Sequence, residues 1–226
     1  MHNNRAEMMA KQAKRSGTGL LCILPLILFA QAMSAQIPPL RPAYERAADS
    51  LVLDSLRAAF GQHKTIPPGI ELQALRALSH YPELRETKVA FVLCKQKTAH
   101  SSQPKFSSLL RRRDQRSYQI RISVAVPDFY TAGMQQNLPY NAQIGVLGHE
   151  LGHTAHYLRK NLFGILALGL RYGTSKRYVI RMERQTDQTA IDHHLGWQLL
   201  AWARIARPLL EQAGRAQNYM RPEEIE

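Results

Sequence analysis

Two histidines and a glutamate stand in the spacing HExxH, as His149, Glu150 and His153. On a helix, two histidines four residues apart project from one face and can reach a single metal ion. Glu150 directly follows the first histidine, which places its carboxylate beside a metal-bound water rather than on the metal. This set of residues binds zinc and activates water, with Glu150 as the catalytic general base.

Two histidines alone do not complete such a site, because a catalytic zinc ion has three protein ligands and one open position. Glu183 and Asp187 are four residues apart, so on one helix both carboxylates share a face. One can bind the metal, while the other accepts a hydrogen bond from the free ring nitrogen of a ligating histidine. We predict Glu183 as the third ligand and Asp187 as the partner of a ligating histidine.

Other residues compete for the position of third ligand. His156 follows the motif by three residues, which turns it away from the metal-facing line, and His193 and His194 lack a recognisable context. Alternatively, Glu183 and Asp187 pair with neighbouring arginines on a solvated helix face. The presence of the HExxH motif favours the metal site over that alternative.

The sequence around these residues predicts the elements that position them. Apolar residues on both sides of the motif favour a helix, with Asn141 as its N-terminal cap. Residues 88–93 and 118–126 are predicted strands, the second with clear apolar and polar alternation, and we expect them to pair antiparallel. An apolar helix is expected over 161–170, and a long helix from about Val179 into the segment that contains both tryptophans.

Two short helices are predicted before the strands, over residues 49–60 and 70–80, with proline and glycine between them. The order of short helices, a small sheet and then further helices predicts an α+β fold. We expect a single domain over residues 36–226, with a small antiparallel sheet, an active-site helix and a C-terminal helical part. No internal repeat is visible.

The N-terminal residues predict export from the cell. A basic stretch precedes an apolar run over residues 20–30, and small residues follow as far as Ala35. This order is typical of a secretory signal peptide over residues 1–35, cleaved after Ala35 or after Ala32. The alternative, an uncleaved anchor, needs roughly 20 apolar residues, more than this run contains. Because Cys94 is the only cysteine beyond the leader, no intramolecular disulfide forms, which favours a bacterial periplasm or exterior.

The chain is strongly basic, with 30 Lys and Arg against 17 Asp and Glu, and removal of the predicted leader leaves a net charge of +10. This charge favours anionic partners. The basic run 111–113 is predicted to be a solvated loop, and we expect no nucleic-acid binding. Residues Leu162–Leu170 contain no polar side chain; they form either a buried core element or a surface that contacts a membrane peripherally.

The HExxH motif, followed by Glu183 and Asp187, resembles the gluzincin zinc metallopeptidases. The resemblance is to the group of the CAAX prenyl endopeptidases, the HtpX-type proteases and the compact minigluzincins, and it covers about residues 118–192. It implies a zincin-like fold, a Zn²⁺ cofactor and hydrolysis of a protein or peptide substrate. It also implies His149, His153 and Glu183 as zinc ligands, Glu150 as the base, and a sheet edge that holds extended substrate.

The chain departs from this group in two respects. The multiple membrane spans of the prenyl and HtpX-type enzymes have no counterpart here, which argues against intramembrane substrates. The group usually has a small residue just before the aspartate of the second motif, and here that position is Thr186. No motif identifies the residue that stabilises the oxyanion. His194 is our candidate, because by helical spacing it shares a face with the two carboxylates, although local packing would also explain it. Tyr157 and Tyr172 are predicted to be structural.

The sequence therefore predicts an exported zinc metalloendopeptidase. Two alternatives remain open. The first is a zinc hydrolase that acts on a non-peptide bond such as a cell-wall amide. The second is a non-catalytic zincin-like envelope module that binds a partner through its apolar segment.

Overall fold

The computed structural model describes residues 37–226, so the predicted signal peptide over residues 1–35 lies outside the described part. Within it, residues Ile37–Glu226 form one compact unit. The helices are α1 (Arg46–Leu51), α2 (Leu53–Phe60), α3 (Glu71–Ser79), α4 (Tyr140–Leu158), α5 (Leu162–Thr174), α6 (Lys176–Asp192), α7 (Gly196–Gln212) and α8 (Pro222–Ile225). The strands are β1 (Lys64–Thr65), β2 (Lys88–Cys94), β3 (His100–Pro104) and β4 (Ser117–Ser123). The α+β class is as predicted.

The four strands form a mixed sheet in the order β1-β2-β4-β3. β2 and β4 run parallel, with Val89 opposite Tyr118, so the antiparallel pairing predicted for them was wrong. The cause is β3, which lies in the polar segment between the two predicted strands and runs antiparallel to β4. β3 reverses the chain direction before β4 begins. It has no apolar alternation because it is an edge strand that borders a cavity.

The main core lies between the sheet and two helices, α3 and α4. Tightly packed aliphatic and aromatic side chains fill it, and their burial holds α4 against the sheet. The principal members are Leu75, Leu78, Val89, Phe91, Ile120, Ile122, Leu147 and Leu151. A second cluster joins α4 to α7 through Val146, Leu199, Trp202 and Ala203.

α4 carries the HExxH motif and is buried along most of its length. It begins at Tyr140, one residue before the predicted cap. Asn141 does not cap it, because its side chain accepts from the backbone N–H of Tyr44 at 2.7 Å and donates to the carbonyl of the same residue at 2.9 Å. Gly145 allows α7 to cross closely, since a Cβ there would lie 2.1 Å from the carbonyl oxygen of Gln198.

The long helix predicted from Val179 is divided into α6 and α7. His194 adopts a left-handed backbone with φ of 62°, and the N–H of Leu195 donates to the carbonyl of Ala190 at 3.0 Å, which closes α6. The chain reverses at this point, and α7 packs back on α4. The reversal brings Trp202 to a ring distance of 5.9 Å from His149, a contact that one continuous helix would not form.

α5 is the predicted apolar helix. Its side chains form one buried face and one exposed face. Only Ile165 and Leu168 are buried, whereas Phe163, Leu166 and Leu170 are exposed. Of the two alternatives for this segment, a buried core element therefore does not describe most of the helix. Within the described residues, no helix combines the length and the apolar character that a membrane span requires.

Candidate metal centre

His149, His153 and Glu183 form a buried group that could hold a metal ion. The Nε2 atoms of His149 and His153 lie 3.1 Å and 3.2 Å from Oε2 of Glu183. α4 presents both histidines from one face, one turn apart, and α6 presents the glutamate opposite them. Two imidazole nitrogens and one carboxylate oxygen are the donor set of a three-ligand catalytic zinc site.

Each histidine ring is oriented through its other nitrogen. Nδ1 of His149 lies 2.8 Å from Oδ1 of Asp187, and Nδ1 of His153 lies 3.2 Å from the hydroxyl of Thr186. A carboxylate accepts hydrogen bonds, so Nδ1 of His149 donates to Asp187, and this contact would leave Nε2 free to bind a metal ion. The other oxygen of Asp187 accepts from the backbone N–H of Met220 at 2.8 Å, which fixes the carboxylate.

The charges of the group favour a cation. Burial opposes ionisation of Glu183, but His153 and His149 outweigh burial and hold its pKa well below the usual value. For His149, burial opposes the charged form, and its hydrogen bonds to Asp187 and Glu183 outweigh burial and raise its pKa well above normal. In the described part of the chain, both carboxylates form ion pairs with histidine alone. A divalent cation would neutralise the buried negative charge that these residues share.

Glu150 lies beside the ligand group of His149, His153 and Glu183 but is not part of it. Its side chain is buried, and Oε2 has no hydrogen-bond partner among the described residues. Burial raises the pKa of this carboxyl above its usual value. An unpaired buried oxygen is costly unless a water molecule or a ligand reaches it. Glu150 borders both cavities at the centre, so its free oxygen is accessible to a molecule held there.

Two cavities meet at Glu150. The first, of about 150 Å³, has aromatic walls that include Phe129 and Trp202. The second, of about 470 Å³, lies between β3 and α5. Both are bordered by Thr98, His100, Glu150, Arg215 and Tyr219. Together they form a cleft that follows the edge strand of the sheet past the candidate ligands.

No family model, no curated protein and no solved structure matches the chain. The function of the site is therefore inferred from the residues that the fold brings together and from their chemistry.

Two residues proposed as alternatives lie elsewhere. Nδ1 of His194 lies 2.7 Å from the carbonyl oxygen of Pro38, and this histidine borders a separate surface cavity with Trp197. The expected shared face with Glu183 does not exist, because α6 ends before His194. His156 is half-buried on α4 and does not join the ligand group. The structure thus gives neither histidine a place at the centre.

Arg215 is the residue that the sequence analysis missed. It follows Gly214, which has φ of 66°, and the N–H of Arg215 donates to the carbonyl of Leu210 at 2.8 Å. This turn sends the chain back over the site, and Arg215 borders both cavities with Glu150. The glycine at the end of α7 signals a turn, but no local pattern shows where the turn leads.

Tyrosines also contribute more than expected. Tyr172, predicted to be structural, donates its hydroxyl to Oε1 of Glu183, the oxygen that the histidines do not contact. Tyr157 has a structural contact, since its hydroxyl donates to the carbonyl of Ser102 at 3.2 Å. The ring of Tyr219 lies 5.6 Å from that of His149. Of these contacts, the hydrogen bond from Tyr172 acts directly on a candidate ligand, because it holds the carboxylate of Glu183.

The hydrogen bond from His149 to Asp187 leads to a first prediction. Asp187→Asn should lower zinc affinity about 10- to 100-fold, because an amide cannot hold the His149 ring in the metal-binding tautomer as a carboxylate does. The measurement is competition for zinc against a chromophoric chelator. Asp192→Asn is the matched control, since Asp192 lies on the same helix and, among the described side chains, bonds to Gln188 alone. Equal zinc affinities in the two variants would contradict the role of Asp187.

Proposed function

We propose that this chain is an exported zinc metalloendopeptidase with a zincin-like fold. The observation that supports it best is the unpaired carboxyl oxygen of Glu150 beside the buried group of His149, His153 and Glu183. A metal-binding group alone would suit a structural site. A free base next to it, in an open cleft, suits hydrolysis.

The residues divide the chemistry among them. His149, His153 and Glu183 would hold a zinc ion, which would supply a Lewis acid for the scissile carbonyl and for a water molecule. Glu150 accepts a proton from the attacking water and delivers it to the nitrogen of the leaving amine. Asp187 and Thr186 keep the two histidine rings in place throughout the reaction.

The shape of the cleft supports a peptide as substrate. Among the described strands, β3 pairs with β4 alone, so its other edge borders the second cavity; the carbonyl of Ser102 on β3 accepts from the hydroxyl of Tyr157, and the remaining backbone groups of this edge can pair with a peptide. An extended peptide can add to such an edge as a further strand, which aligns its backbone before cleavage. The short side chains of Ser101 and Ser102 border this cavity and leave the edge accessible.

Arg215 is proposed to bind a carbonyl or carboxylate oxygen of the peptide. Arg215→Met removes the charge and keeps much of the side-chain volume. We expect kcat/KM to fall about 10- to 100-fold, because a hydrogen bond to a charged group contributes about 1.5–3 kcal/mol, and zinc content to stay unchanged. Arg204→Met is the control, since Arg204 forms its ion pair with Glu226 away from the cleft. Parent-like kcat/KM in Arg215→Met would remove this residue from substrate binding.

The direct test of the proposed function is cleavage of denatured casein by the purified protein. We expect activity that a chelator abolishes and added zinc restores. Hydrolysis of a cell-wall amide without cleavage of casein would instead favour the non-peptide hydrolase. A folded protein that binds no zinc would favour the non-catalytic module.

A further inference from the structure

α5 exposes a continuous apolar strip to solvent. Phe163 is 77% exposed, Leu166 52% and Leu170 68%. Their spacing of three and four residues places them on one face of the helix. The opposite face carries Ile165 and Leu168, which are buried and border the second cavity. One helix thus forms a wall of the cleft and presents apolar side chains to the outside.

The segment between β3 and β4 adds a second set of exposed apolar side chains. Phe106 is 86% exposed and Leu110 is 89% exposed. Arg116 connects this segment to the start of α5, because its guanidinium donates to the carbonyl of Lys160 at 2.9 Å and to that of Arg111 at 3.3 Å. The two exposed apolar elements are therefore neighbours, although they are about fifty residues apart in the sequence.

Basic residues accompany both elements. Residues 105–116 and 159–171 contain a single carboxylate, Asp114, which lies 3.6 Å from Nε of Arg112. Exposed or partly exposed basic side chains in these segments are Lys105, Arg111, Arg112, Arg113, Arg159, Lys160 and Arg171. Apolar side chains surrounded by positive charge are complementary to the acyl chains and headgroups of an anionic lipid surface.

We propose that α5 and residues 105–116 together form a docking face for an anionic membrane surface. The apolar side chains enter the interface between headgroups and acyl chains, and the basic residues bind the headgroups. A second copy of the chain is the poorer occupant, because it would bring two surfaces of the same charge together. Since both elements border or adjoin the second cavity, docking places the cleft at the lipid surface.

The test uses the photoreactive amino acid p-benzoylphenylalanine at position 163 of the full chain. The control position is Leu51, which is 88% exposed on α1. Vesicles contain phosphatidylcholine alone or with phosphatidylglycerol, and adducts are identified by mass. We expect a lipid adduct from position 163 with phosphatidylglycerol vesicles and little from position 51. Reversing the charge of Arg111, Arg112 and Arg113 to Glu should lower the adduct yield at least fivefold, since each basic residue contributes about a fivefold affinity for anionic lipid.

Other results would overturn the proposal. Equal lipid adducts from positions 163 and 51 would show non-specific contact with the vesicle. A covalent dimer, or an adduct with residues 1–36 of the same chain, would assign the face to that occupant. Crosslinking needs no catalysis and can be repeated with Glu150→Gln, so its failure would leave the proposed peptidase activity untouched.

The docking face also selects the substrate of the proposed peptidase, an inference that rests on the proposed function. Peptide segments at a lipid surface should be cleaved faster than the same segments in solution. One peptide is compared in two forms, free in solution and coupled to a lipid in phosphatidylglycerol vesicles. The cleavage rate of each form is measured with the parent and with the variant in which Arg111, Arg112 and Arg113 are changed to Glu. A higher rate on the coupled peptide that the variant loses would support the selection, and equal rates in both proteins would contradict it.

Discussion

Glu150→Gln is expected to bind zinc like the parent and to lose turnover by a factor of about 10² to 10⁴, the usual contribution of general acid–base catalysis. Glutamine keeps the size of the side chain but cannot accept the proton of the attacking water. Because Glu150 lies outside the ligand group, its substitution should leave the metal site intact. The measurements are kcat on denatured casein or a peptide, and zinc content by elemental analysis.

The control for this prediction is Glu211→Gln. Glu211 is exposed on α7 and pairs with Arg207, so this variant carries the same chemical change away from the cleft. We expect it to keep both zinc and turnover. A Glu150→Gln protein that cleaves as fast as the parent would refute the proposed mechanism. A protein that loses zinc together with turnover would instead make Glu150 a ligand or a support for one.

The residues of the metal group could be predicted from the sequence because helix geometry is local. A spacing of four residues places His149 and His153 on one face, and the same rule applies to Glu183 and Asp187. Only the contact between α4 and α6 had to be assumed, and the chemistry of zinc sites made it a reasonable assumption. The spacing of these four polar residues thus predicted which of them share a helix face, without any knowledge of the topology.

Features that depend on a change of chain direction could not be predicted in the same way. The direction of β4 relative to β2 is set by β3, whose five residues carry no apolar alternation because its side chains border the cleft. The break after α6 uses a left-handed histidine, His194, where glycine or asparagine would have signalled it. Extending the helical face across that break is the reason for the wrong placement of His194.

Contacts between distant segments form the rest of the site. Arg215 and Tyr219 reach it from beyond α7, and Tyr172 reaches it from α5, each through a turn whose direction no periodic pattern encodes. Their chemistry, a guanidinium and two phenols, is common on any protein surface. Only the fold shows that these side chains lie beside Glu150 and Glu183.

His149→Ala is expected to abolish activity and to lower zinc affinity at least 100-fold. Structural zinc sites with four protein ligands provide about 10–16 kcal/mol, so one ligand contributes on the order of 3 kcal/mol. Zinc affinity is measured by competition with a chelator, and activity on the same peptide as above. His156→Ala is the matched control, because it changes a histidine on the same helix that lies outside the ligand group.

The ring of His149 also contacts two buried carboxylates, so its removal can destabilise the fold itself. Without the ring, Asp187 and Glu183 lose a buried partner, which costs about 3–5 kcal/mol when a buried charge is left uncompensated. His149→Asn separates the two effects, since its amide can donate to a carboxylate but offers no imidazole nitrogen to the metal. If His149→Asn folds like the parent and still lacks zinc, His149 is a ligand. If His149→Asn keeps zinc while His156→Ala loses it, the metal lies one turn further along α4, and His149 is not a ligand.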